Sequence, residues 1–473
     1  MSTLTDMWQN RRVTILGMGA SGAAAAHYLA REGARVTVAD TREAPTALAR
    51  LREAVPTGRF VTGGLPVALV DECDALVLSP GLSPDFGAAA PVVAEARRRG
   101  IPVLGEIELF ARLLNAWREK TGYAPKVIGI TGTNGKTTTT VLTIEMLTAS
   151  GLRAVAAGNI GPNAITELVK AIDADTLPAA WVLELSSFQL ETPESLVLDA
   201  ATLLNVTEDH IDWHGSMARY RAAKERIFRR ARVRVLPRAD RETMRLLRDG
   251  DVSFGEDRPQ REGDFGLLEG ALVRRTDTDD HRLLLESDLL LQGRHNALNV
   301  LAALALVRVA GGDEEKATAW VRTYRGEPHR VEWIFSKAGV DVVDDSKGTN
   351  VGAVAAAVEG LGKQGKRLFL LMGGDGKGQD FSPLREPLRA HAGYVALIGR
   401  DREKIAAALD GSGVKTEAFA TLEDAVTALW AEAVKEGGVL LLSPACASWD
   451  MFRDYAERSA RFIAAARRAA GEA

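Results

Sequence analysis

One stretch decides the fold of this chain: Val127-Ile-Gly-Ile-Thr-Gly-Thr-Asn-Gly-Lys-Thr-Thr-Thr-Thr140. The β-branched run at its start predicts a buried strand, and three glycines then carry the backbone through a tight turn. Lys136 and four threonines follow, and the pattern becomes helical from Val141 onward. A strand, a glycine loop, a lysine, a hydroxyl and a helix in this order are typical of an α/β protein that binds phosphate.

The chemistry of this loop suits a nucleotide triphosphate. Glycines let backbone N–H groups approach the phosphates, and the helix N-terminus adds partial positive charge. We expect Lys136 to reach the terminal phosphates and the hydroxyl of Thr137 to hold Mg²⁺. The strict G-x-x-x-x-G-K-[ST] pattern fails by one residue, because Ile130 stands five positions before Gly135. A glycine-rich turn without a ligand is the alternative, and the strand–loop–helix context disfavours it.

Length and composition bound the architecture and exclude several classes of protein. A chain of 473 residues is too long for one core and, at roughly 150 residues per domain, predicts about three domains. Apolar residues make up 46% of the chain and charged residues 26%, which is ordinary for a globular protein. The net charge of −4 argues against a nucleic-acid-binding surface. No apolar run approaches the roughly 18 residues of a membrane span.

The start of the chain and its cysteines indicate the compartment. The segment from Met1 to Trp8 lacks the basic and apolar regions of a signal peptide. Cys73 and Cys446 provide neither a disulfide framework nor the spacing of a metal site. We therefore expect a cytoplasmic protein without membrane insertion, and we expect a monomer.

A second glycine turn opens the first part of the chain. Residues 13–16 predict a strand, Gly17-Met-Gly-Ala-Ser-Gly22 is a G-x-G-x-x-G turn, and a second predicted strand ends at Asp40. This is the dinucleotide-binding fingerprint, with an acid about 20 residues on. Any ligand with a pyrophosphate and a ribose-like group fits the same turn, so an NAD-dependent dehydrogenase is one alternative. Further αβ units lead to a polar stretch, residues 115–125, which we predict to be a first linker.

Polar residues at strand ends of the central part suit a metal–nucleotide site. Glu184 lies in a strand predicted at residues 181–187, and His210 follows a strand predicted at residues 200–204. Ligand groups collect at the carboxyl ends of strands, so we expect both residues near the Mg²⁺ of the nucleotide. A helix predicted from Met217 to about residue 231 carries Lys224, and we interpret the arginine-rich segment 226–248 as a solvated helical face.

The α/β pattern restarts after a second predicted linker at residues 323–328. Four more strands are predicted, at residues 340–343, 367–372, 394–398 and 439–442. Polar motifs at their ends include Lys347 and Lys377, which in an ATP site would neutralise a transferring phosphoryl group or hold an anionic substrate. The residues alone therefore predict an ATP-using ligase or kinase with Mg²⁺.

Five motifs together resemble the Mur ligase and folylpolyglutamate synthase family. Gly132-Thr-Asn-Gly-Lys-Thr-Thr138 is similar to the ATP loop of that family, which accounts for the failed strict pattern. The other four follow in order: Leu183-Glu-Leu-Ser-Ser-Phe-Gln-Leu190, Asp344-Asp-Ser-Lys-Gly-Thr-Asn350, Gly373-Gly-Asp-Gly-Lys377 and Ser443-Pro-Ala-Cys-Ala-Ser448. The resemblance implies an α/β fold of three domains. These are an N-terminal Rossmann-like UDP-binding domain (1–118), a central ATPase domain with a mainly parallel sheet (119–326), and a C-terminal Rossmann-like domain for the amino-acid substrate (327–473).

The resemblance also implies a reaction, the ATP-dependent addition of D-glutamate to UDP-N-acetylmuramoyl-L-alanine in peptidoglycan synthesis. The substrate carboxylate attacks the γ-phosphate of ATP to give an acyl phosphate, and the amine of D-glutamate then displaces phosphate. ATP and two Mg²⁺ ions are the implied cofactors. A sister ligase that adds L-glutamate or a folate glutamyl tail is an alternative, and a non-catalytic UDP-sugar-binding protein is one of another class.

Site residues carry over from the family position by position. The catalytic set is Lys136, Glu184, His210 and Lys224, and the metal ligands are Thr137, Glu184, His210 and a carbamate on Lys224, whose oxygens resemble a carboxylate. The ATP-binding set is Gly132, Thr133, Asn134, Gly135, Lys136, Thr137, Thr138, Asn296, Arg330 and Asp345. The UDP-substrate set is Ala20, Ser21, Asp40, Thr41, Arg42, Gly81, Asn159 and His210. The D-glutamate set is Lys347, Thr349, Lys377, Ser448 and Tyr455. Trp449 and Tyr455 depart from the family pattern, where leucine and phenylalanine are common.

Overall fold

In the computed structural model, which describes residues 4–291, 293–362 and 365–472, the strands form three sheets. The chain divides into two compact units. The first holds the chain up to Asn205 with Ala218–Leu285 and Asn299–Val321, and the second holds Val206–Met217, Glu286–Leu298 and the chain from Arg322 onward. The first two sheets lie in the first unit and the third sheet in the second.

The first sheet has five strands and is parallel throughout. Its strands are β1 Arg12–Leu16, β2 Arg35–Ala39, β3 Arg59–Val61, β4 Ala75–Leu78 and β5 Val103–Leu104. The helices of this part are α1 Ala20–Arg31, α2 Leu48–Ala54, α3 Ala90–Arg98 and α4 Glu106–Thr121. The strand order β3-β2-β1-β4-β5 places the topological switch between β1 and β4, where open α/β sheets bind ligands.

The second sheet has nine strands and holds the glycine loop at its centre. Its strands are β6 Lys126–Thr131, β7 Ala154–Gly158, β8 Ala180–Glu184, β9 Leu198–Leu203, β10 Ala231–Pro237, β11 Val252–Phe254, β12 Phe265–Leu268, β13 Ala271–Arg275 and β14 Asp280–Leu285. The helices that follow along the chain are α5 Lys136–Ala149, α6 Ala164–Asp173, α7 Ile211–His214, α8 Met217–Glu225, α9 Arg241–Met244, α10 Arg294–Ala310 and α11 Glu314–Val321. The order β14-β13-β12-β11-β10-β9-β6-β8-β7 is parallel from β7 to β12 and antiparallel beyond it. Because β6 lies between β8 and β9, polar residues at the ends of those strands flank the loop.

The third sheet belongs to the second unit and has six strands. Its strands are β15 Glu332–Lys337, β16 Val340–Asp344, β17 Leu368–Gly373, β18 Ala392–Ile398, β19 Lys415–Ala418 and β20 Gly438–Leu442. Its helices are α12 Val351–Gly362, α13 Arg385–His391, α14 Arg402–Leu409, α15 Leu422–Glu436 and α16 Tyr455–Ala469. Every residue of β17 and β20 is buried, as expected for central parallel strands covered on both faces. The predicted α/β class with three sheets is confirmed.

Two local predictions are wrong. Most of the stretch 115–125 is helix and not a linker, since α4 continues to Thr121. The helix is capped by Gly122, whose φ of 76° is the left-handed conformation typical of a helix C-terminus. Its polar residues form the exposed side of an amphipathic helix. The segment 226–248 is not a helical face, because β10 runs through it and its Arg-Val-Arg-Val pattern alternates with the period of a strand. The domain boundaries at 118/119 and 326/327 stay predictions.

No helix within residues 4–291, 293–362 and 365–472 is long and apolar enough to cross a membrane. Cys73 and Cys446 are buried free thiols. Cys446 packs in the core of the third sheet, and burial raises the pKa of its thiol to about 12.

Two buried carboxylates on α4 differ in their partners. Glu106 is 3% exposed, and its Oε1 accepts a 2.6 Å hydrogen bond from the N–H of Ile165 in α6. Its Oε2 has no hydrogen-bond partner among the described residues. Burial raises the pKa of Glu106 to about 7. Glu108, in contrast, accepts from Nε of Arg112 at 2.8 Å and from two backbone N–H groups.

We expect Glu106→Gln to raise the Tm at pH 8 and to lose this advantage as the pH falls to 5. In the folded state the Glu106 carboxyl is charged above about pH 7 and destabilises the fold there, whereas protonation removes that cost at lower pH. The gain at pH 8 is about 1–3 kcal/mol. Calorimetry across this pH range measures it. Glu108→Gln is the matched control and should lower the Tm at pH 8; a Glu106→Gln protein that melts below wild type at pH 8 contradicts the prediction.

Candidate active site

The glycine loop between β6 and α5 is closely packed at Gly135. Gly135 has a φ of 82°, and a Cβ at this position would lie 2.5 Å from Oδ1 of Asn299. Only glycine therefore fits here. Helix α5 begins at the next residue, Lys136, so its first N–H groups face the loop. Thr137 and Thr138 lie in the first turn of this helix, and Thr138 is buried.

Asn205, which was not among the predicted residues, fixes the shape of the loop. Its Oδ1 accepts from the N–H of Asn134 at 2.9 Å, and its Nδ2 donates to the carbonyl oxygen of Asn134 at 3.1 Å. Its own carbonyl oxygen accepts from the N–H of Thr133 at 3.0 Å. The Thr133 hydroxyl lies 3.0 Å from the hydroxyl of Tyr220. In the sequence, Asn205 is indicated only by its position just after β9, a strand that pairs with β6.

Two lysines converge on one carbonyl oxygen of the loop. Nζ of Lys136 donates to the carbonyl oxygens of Gly132 at 2.9 Å and Thr133 at 2.8 Å. Nζ of Lys224 donates to the same oxygen of Gly132 at 2.8 Å, although Lys224 is far along the chain on α8. Lys224 is only 2% exposed. The loop thus concentrates positive charge, as binding of a triphosphate requires.

Glu184 ends β8 beside the loop. It is opposite Ile130 in the parallel pairing of β6 and β8, and it is 1% exposed. Its Oε1 accepts from Nδ2 of Asn159 at 2.7 Å, and its Oε2 has no hydrogen-bond partner among the described residues. A buried carboxylate oxygen without a partner is costly unless a cation binds it. Glu184 and the hydroxyl of Thr137 are both oxygen donors, which suits a hard cation such as Mg²⁺.

The other glycine turn lies at the switch between β1 and β4 and is held by Asp40. Oδ2 of Asp40 accepts from the N–H of Met18 at 2.7 Å, and the two carboxylate oxygens accept from the guanidinium of Arg42 at 2.8 and 2.7 Å. Hydrogen bonds from Arg42 hold the pKa of Asp40 at about 2. Asp40 therefore orients the turn through its bonds to Met18 and Arg42.

Other residues of the predicted UDP set lie in or near this turn, whereas Asn159 bonds to Glu184 and His210 bonds to Asp209. A Cβ added at Gly81 would meet no atom within 4 Å, so the space above it is open. Ser21 accepts a 3.3 Å hydrogen bond at Oγ from Nδ2 of Asn163, a residue missed by the predictions. Ala20, Thr41, Arg42 and Gly81 are exposed.

In the second unit, Lys377 is bound by Asp209. Nζ of Lys377 donates to Oδ1 of Asp209 at 2.8 Å, and the two side chains are 12% and 7% exposed. The same oxygen accepts from the N–H of His210 at 3.0 Å. Lys377 and His210 have φ angles of 54° and 56°. Such left-handed backbone is uncommon outside glycine and clusters at functional sites.

The predicted ATP residues of the second unit include a buried carboxyl, Asp345. Its Oδ2 accepts from Oγ of Ser443 at 2.6 Å, and its Oδ1 accepts from the N–H of Val331 at 3.3 Å. Burial raises the pKa of Asp345 to about 7, and the nearby charge of Arg330 opposes that rise. Asn296 is buried in the first turn of α10.

The structure brings the predicted D-glutamate residues together in pairs. Nζ of Lys347 lies 5.3 Å from the ring centroid of Tyr455, and the N–H of Thr349 donates to the carbonyl oxygen of Lys347 at 2.9 Å. The antiparallel bridge between Asp375 and Ala447 aligns the segments that carry Lys377 and Ser448. Ser448 is buried, whereas Trp449 is 74% exposed and Tyr455 is 39% exposed.

Three family models match successive parts of the chain. They are the Mur ligase MurD-like N-terminal domain over residues 11–105, the Mur ligase middle domain over residues 130–307, and the Mur ligase glutamate ligase domain over residues 329–446. Together they cover the three sheets in order.

Whole-chain relatives agree with these models. The UDP-N-acetylmuramoylalanine–D-glutamate ligase of Ralstonia nicotianae is 48% identical over 479 residues, which span 95% of each chain. The ligase of the same name from Paraburkholderia phymatum is 47% identical over 485 residues, 96% of this chain and 95% of the relative. MurF from Acinetobacter baumannii shares the fold, with a TM-score of 0.58 at 19% identity over 91% of this chain and 90% of that one. The chain therefore belongs to the Mur ligase family, in the branch of the UDP-N-acetylmuramoylalanine–D-glutamate ligases.

Proposed function

We propose that this enzyme joins the amine of D-glutamate to the alanyl carboxylate of UDP-N-acetylmuramoyl-L-alanine, with ATP, in peptidoglycan precursor synthesis. The proposal rests on the ammonium of Lys136, which lies at the carbonyl oxygens of Gly132 and Thr133 in the glycine loop. A cation in a glycine loop, with the buried carboxylate of Glu184 at the end of the neighbouring strand, suits phosphoryl transfer. The near-full-length identity to ligases of this name supports the same reaction.

The first step is phosphoryl transfer from ATP. An oxygen of the alanyl carboxylate bonds to the γ-phosphorus, the bond to the bridging oxygen breaks, and ADP leaves an acyl phosphate behind. Lys136 neutralises charge on the transferring group by exchanging its bonds to the carbonyl oxygens of Gly132 and Thr133 for bonds to phosphate. Asn205 keeps the loop N–H groups of Thr133 and Asn134 in place during this exchange.

The second step forms the amide. The deprotonated amine of D-glutamate attacks the acyl carbon, and the tetrahedral intermediate collapses with loss of inorganic phosphate. We propose that Lys347 and Lys377 bind the carboxylates of glutamate by charge, with Thr349, Ser448 and Tyr455 around them. Asp209 holds Lys377 in position through the 2.8 Å ion pair.

We propose that Mg²⁺ is held by Thr137, Glu184 and a carbamate on Lys224, with His210 as a further predicted ligand. When bound, Mg²⁺ neutralises charge on the phosphate oxygens. The unpartnered Oε2 of Glu184 among the described residues supports this assignment. Asn296, Arg330 and Asp345 stay predicted contacts of ATP.

We propose that the enzyme is a cytoplasmic monomer. Both cysteines are reduced in the structure, which fits a reducing compartment. The monomeric state stays a prediction from the sequence.

An assay of phosphate release tests the function. It contains ATP, UDP-N-acetylmuramoyl-L-alanine and one glutamate enantiomer at a time. We expect D-glutamate to support turnover and L-glutamate to react at least about 100-fold more slowly in kcat/KM, because binding sites for two carboxylates orient only one enantiomer's amine toward the acyl carbon. Omitting the UDP substrate is the control. A chain that turns over L-glutamate and not D-glutamate is a sister ligase, and that result contradicts the proposal.

A further inference from the structure

The turn at residues 376–379 carries Lys377, one of the residues proposed to bind glutamate. The N–H of Gln379 donates to the carbonyl oxygen of Gly376 at 3.0 Å, which closes a four-residue turn. The two central residues, Lys377 and Gly378, have φ angles of 54° and 77°. Positive φ at both central positions is the pattern of a type I′ turn, and it is unfavourable for a lysine. The turn therefore needs support from its surroundings to keep Lys377 in this conformation.

The side chain of Gln379 provides that support. It is 8% exposed, and its Nε2 donates to the carbonyl oxygens of Gly376 at 2.9 Å and Ala445 at 3.3 Å. Its Oε1 accepts from the N–H of Val351 at 3.0 Å. The reverse orientation of the amide would place Oε1 against two other carbonyl oxygens. Glutamine matches this pattern of donors and acceptors, whereas glutamate and methionine, which have about the same length, do not.

The three partners of Gln379 belong to the three segments that carry the proposed glutamate residues. They are Gly376, directly before Lys377; Ala445, three positions before Ser448; and Val351, two positions after Thr349. Val351 is also the first residue of α12, and the first N–H groups of a helix have no partner within it. One buried amide thus joins the turn of Lys377 to the start of α12 and to the segment that leads to Ser448.

The direction of the Lys377 side chain depends on this turn. Its Nζ donates to Oδ1 of Asp209 at 2.8 Å, and the side chain is 12% exposed. A change of φ at Lys377 from positive to negative values would turn its Cα–Cβ bond and aim the ammonium in another direction. A relaxed turn would therefore remove the ammonium from its present place beside Asp209.

We propose that Gln379 is a positioning residue for glutamate, because it holds the turn that aims Lys377 at a carboxylate of the amino acid. This inference rests on the proposed function, in which Lys377 binds glutamate. Gln379 acts through Lys377 and does not touch the substrate. Loss of its hydrogen bonds should therefore weaken the use of glutamate and leave the use of ATP and of the UDP substrate unchanged.

Steady-state kinetics of the full-length Gln379→Met enzyme tests the proposal, because methionine makes none of the three bonds. We expect the KM for D-glutamate to rise at least about tenfold, while the KM values for ATP and the UDP substrate stay within about twofold of wild type. Thr421→Val is the matched control. It removes the N-cap of α15 in the same unit, where Oγ1 accepts from the N–H of Asp424 at 3.2 Å. It should lower the Tm and keep the wild-type KM for D-glutamate.

Two further experiments separate positioning from folding. Gln379→Glu keeps an acceptor for the N–H of Val351 but lacks both donors, so its KM for D-glutamate should also rise at least about tenfold. The second experiment places Gln379→Met in a Lys377→Met background. There it should change kcat/KM for D-glutamate by less than about twofold, because the side chain that Gln379 positions is already absent.

The outcomes distinguish this proposal from the proposed function. An active wild-type enzyme whose Gln379→Met variant keeps its KM for D-glutamate overturns the role of Gln379 alone, and Gln379→Glu decides the same point if the methionine variant does not fold. Parallel rises in all three KM values, or a further loss in the Lys377→Met background, show a general structural role and also overturn the proposal. A wild-type enzyme that does not use D-glutamate contradicts the proposed function, and the role of Gln379 falls with it.

Discussion

Lys136→Ala is expected to lower kcat by about 1,000-fold while leaving the Kd for UDP-N-acetylmuramoyl-L-alanine within about twofold of wild type. The Lys136 ammonium lies at the carbonyl oxygens of Gly132 and Thr133, in the loop where phosphate charge accumulates. The residues proposed for the UDP group, Asp40 and Arg42 among them, surround a turn of the first sheet. Single-turnover phosphate release measures the chemical step, and calorimetric titration measures substrate binding.

Lys126→Ala is the matched control for this experiment. Lys126 is exposed at the start of β6, on the same strand that leads into the loop. Its removal should leave kcat and the Kd near wild type, because it lies at the strand end away from the glycines. Loss of UDP-substrate binding in Lys136→Ala would contradict the separation of the two sites, and an active Lys136→Ala enzyme would remove Lys136 from the reaction.

Features encoded within a few neighbouring residues could be predicted from the sequence. The strand, glycines and helix around Lys136 form one local pattern, and the structure has β6, the loop and α5 in those places. The alternation of short apolar strands with helices also predicted the three sheets. These elements depend on backbone geometry and hydrophobic periodicity, which a single stretch of sequence carries in full.

Features that depend on contacts between distant residues could not be predicted. Asn205 shapes the loop through hydrogen bonds to Asn134, 71 positions away. Lys377 is paired with Asp209 across 168 positions. Asp40 is a further example, because the sequence does not indicate that its oxygens accept hydrogen bonds from the N–H of Met18 and the guanidinium of Arg42. Local patterns indicate which residue types are present, and the fold alone decides which partners they meet.

Lys224 presents a chemical problem that a carbamate would solve. Its side chain is 2% exposed, and its Nζ donates to the carbonyl oxygen of Gly132 at 2.8 Å and lies 4.7 Å from the ring centroid of Tyr220. An ammonium has no lone pair and cannot bind a metal ion. Addition of CO₂ to the neutral amine, with loss of one proton, forms an N–C bond and provides two anionic oxygens. Such a group would join Glu184 as an oxygen ligand.

Lys224→Ala is therefore expected to lower kcat by about 100-fold. Formate, acetate or propionate should then raise the kcat of this variant at least about tenfold. Alanine leaves a space beside Gly132, and a small carboxylate in that space provides the oxygens that the carbamate would have supplied. The measurement is kcat against carboxylate concentration, with Lys136→Ala as the control that carboxylates should not rescue, because that variant lacks a cation. The rescuing ion distinguishes a carbamate from an ammonium at position 224. If methylammonium restores the kcat of Lys224→Ala and carboxylates do not, Lys224 acts as the ammonium that bonds to Gly132.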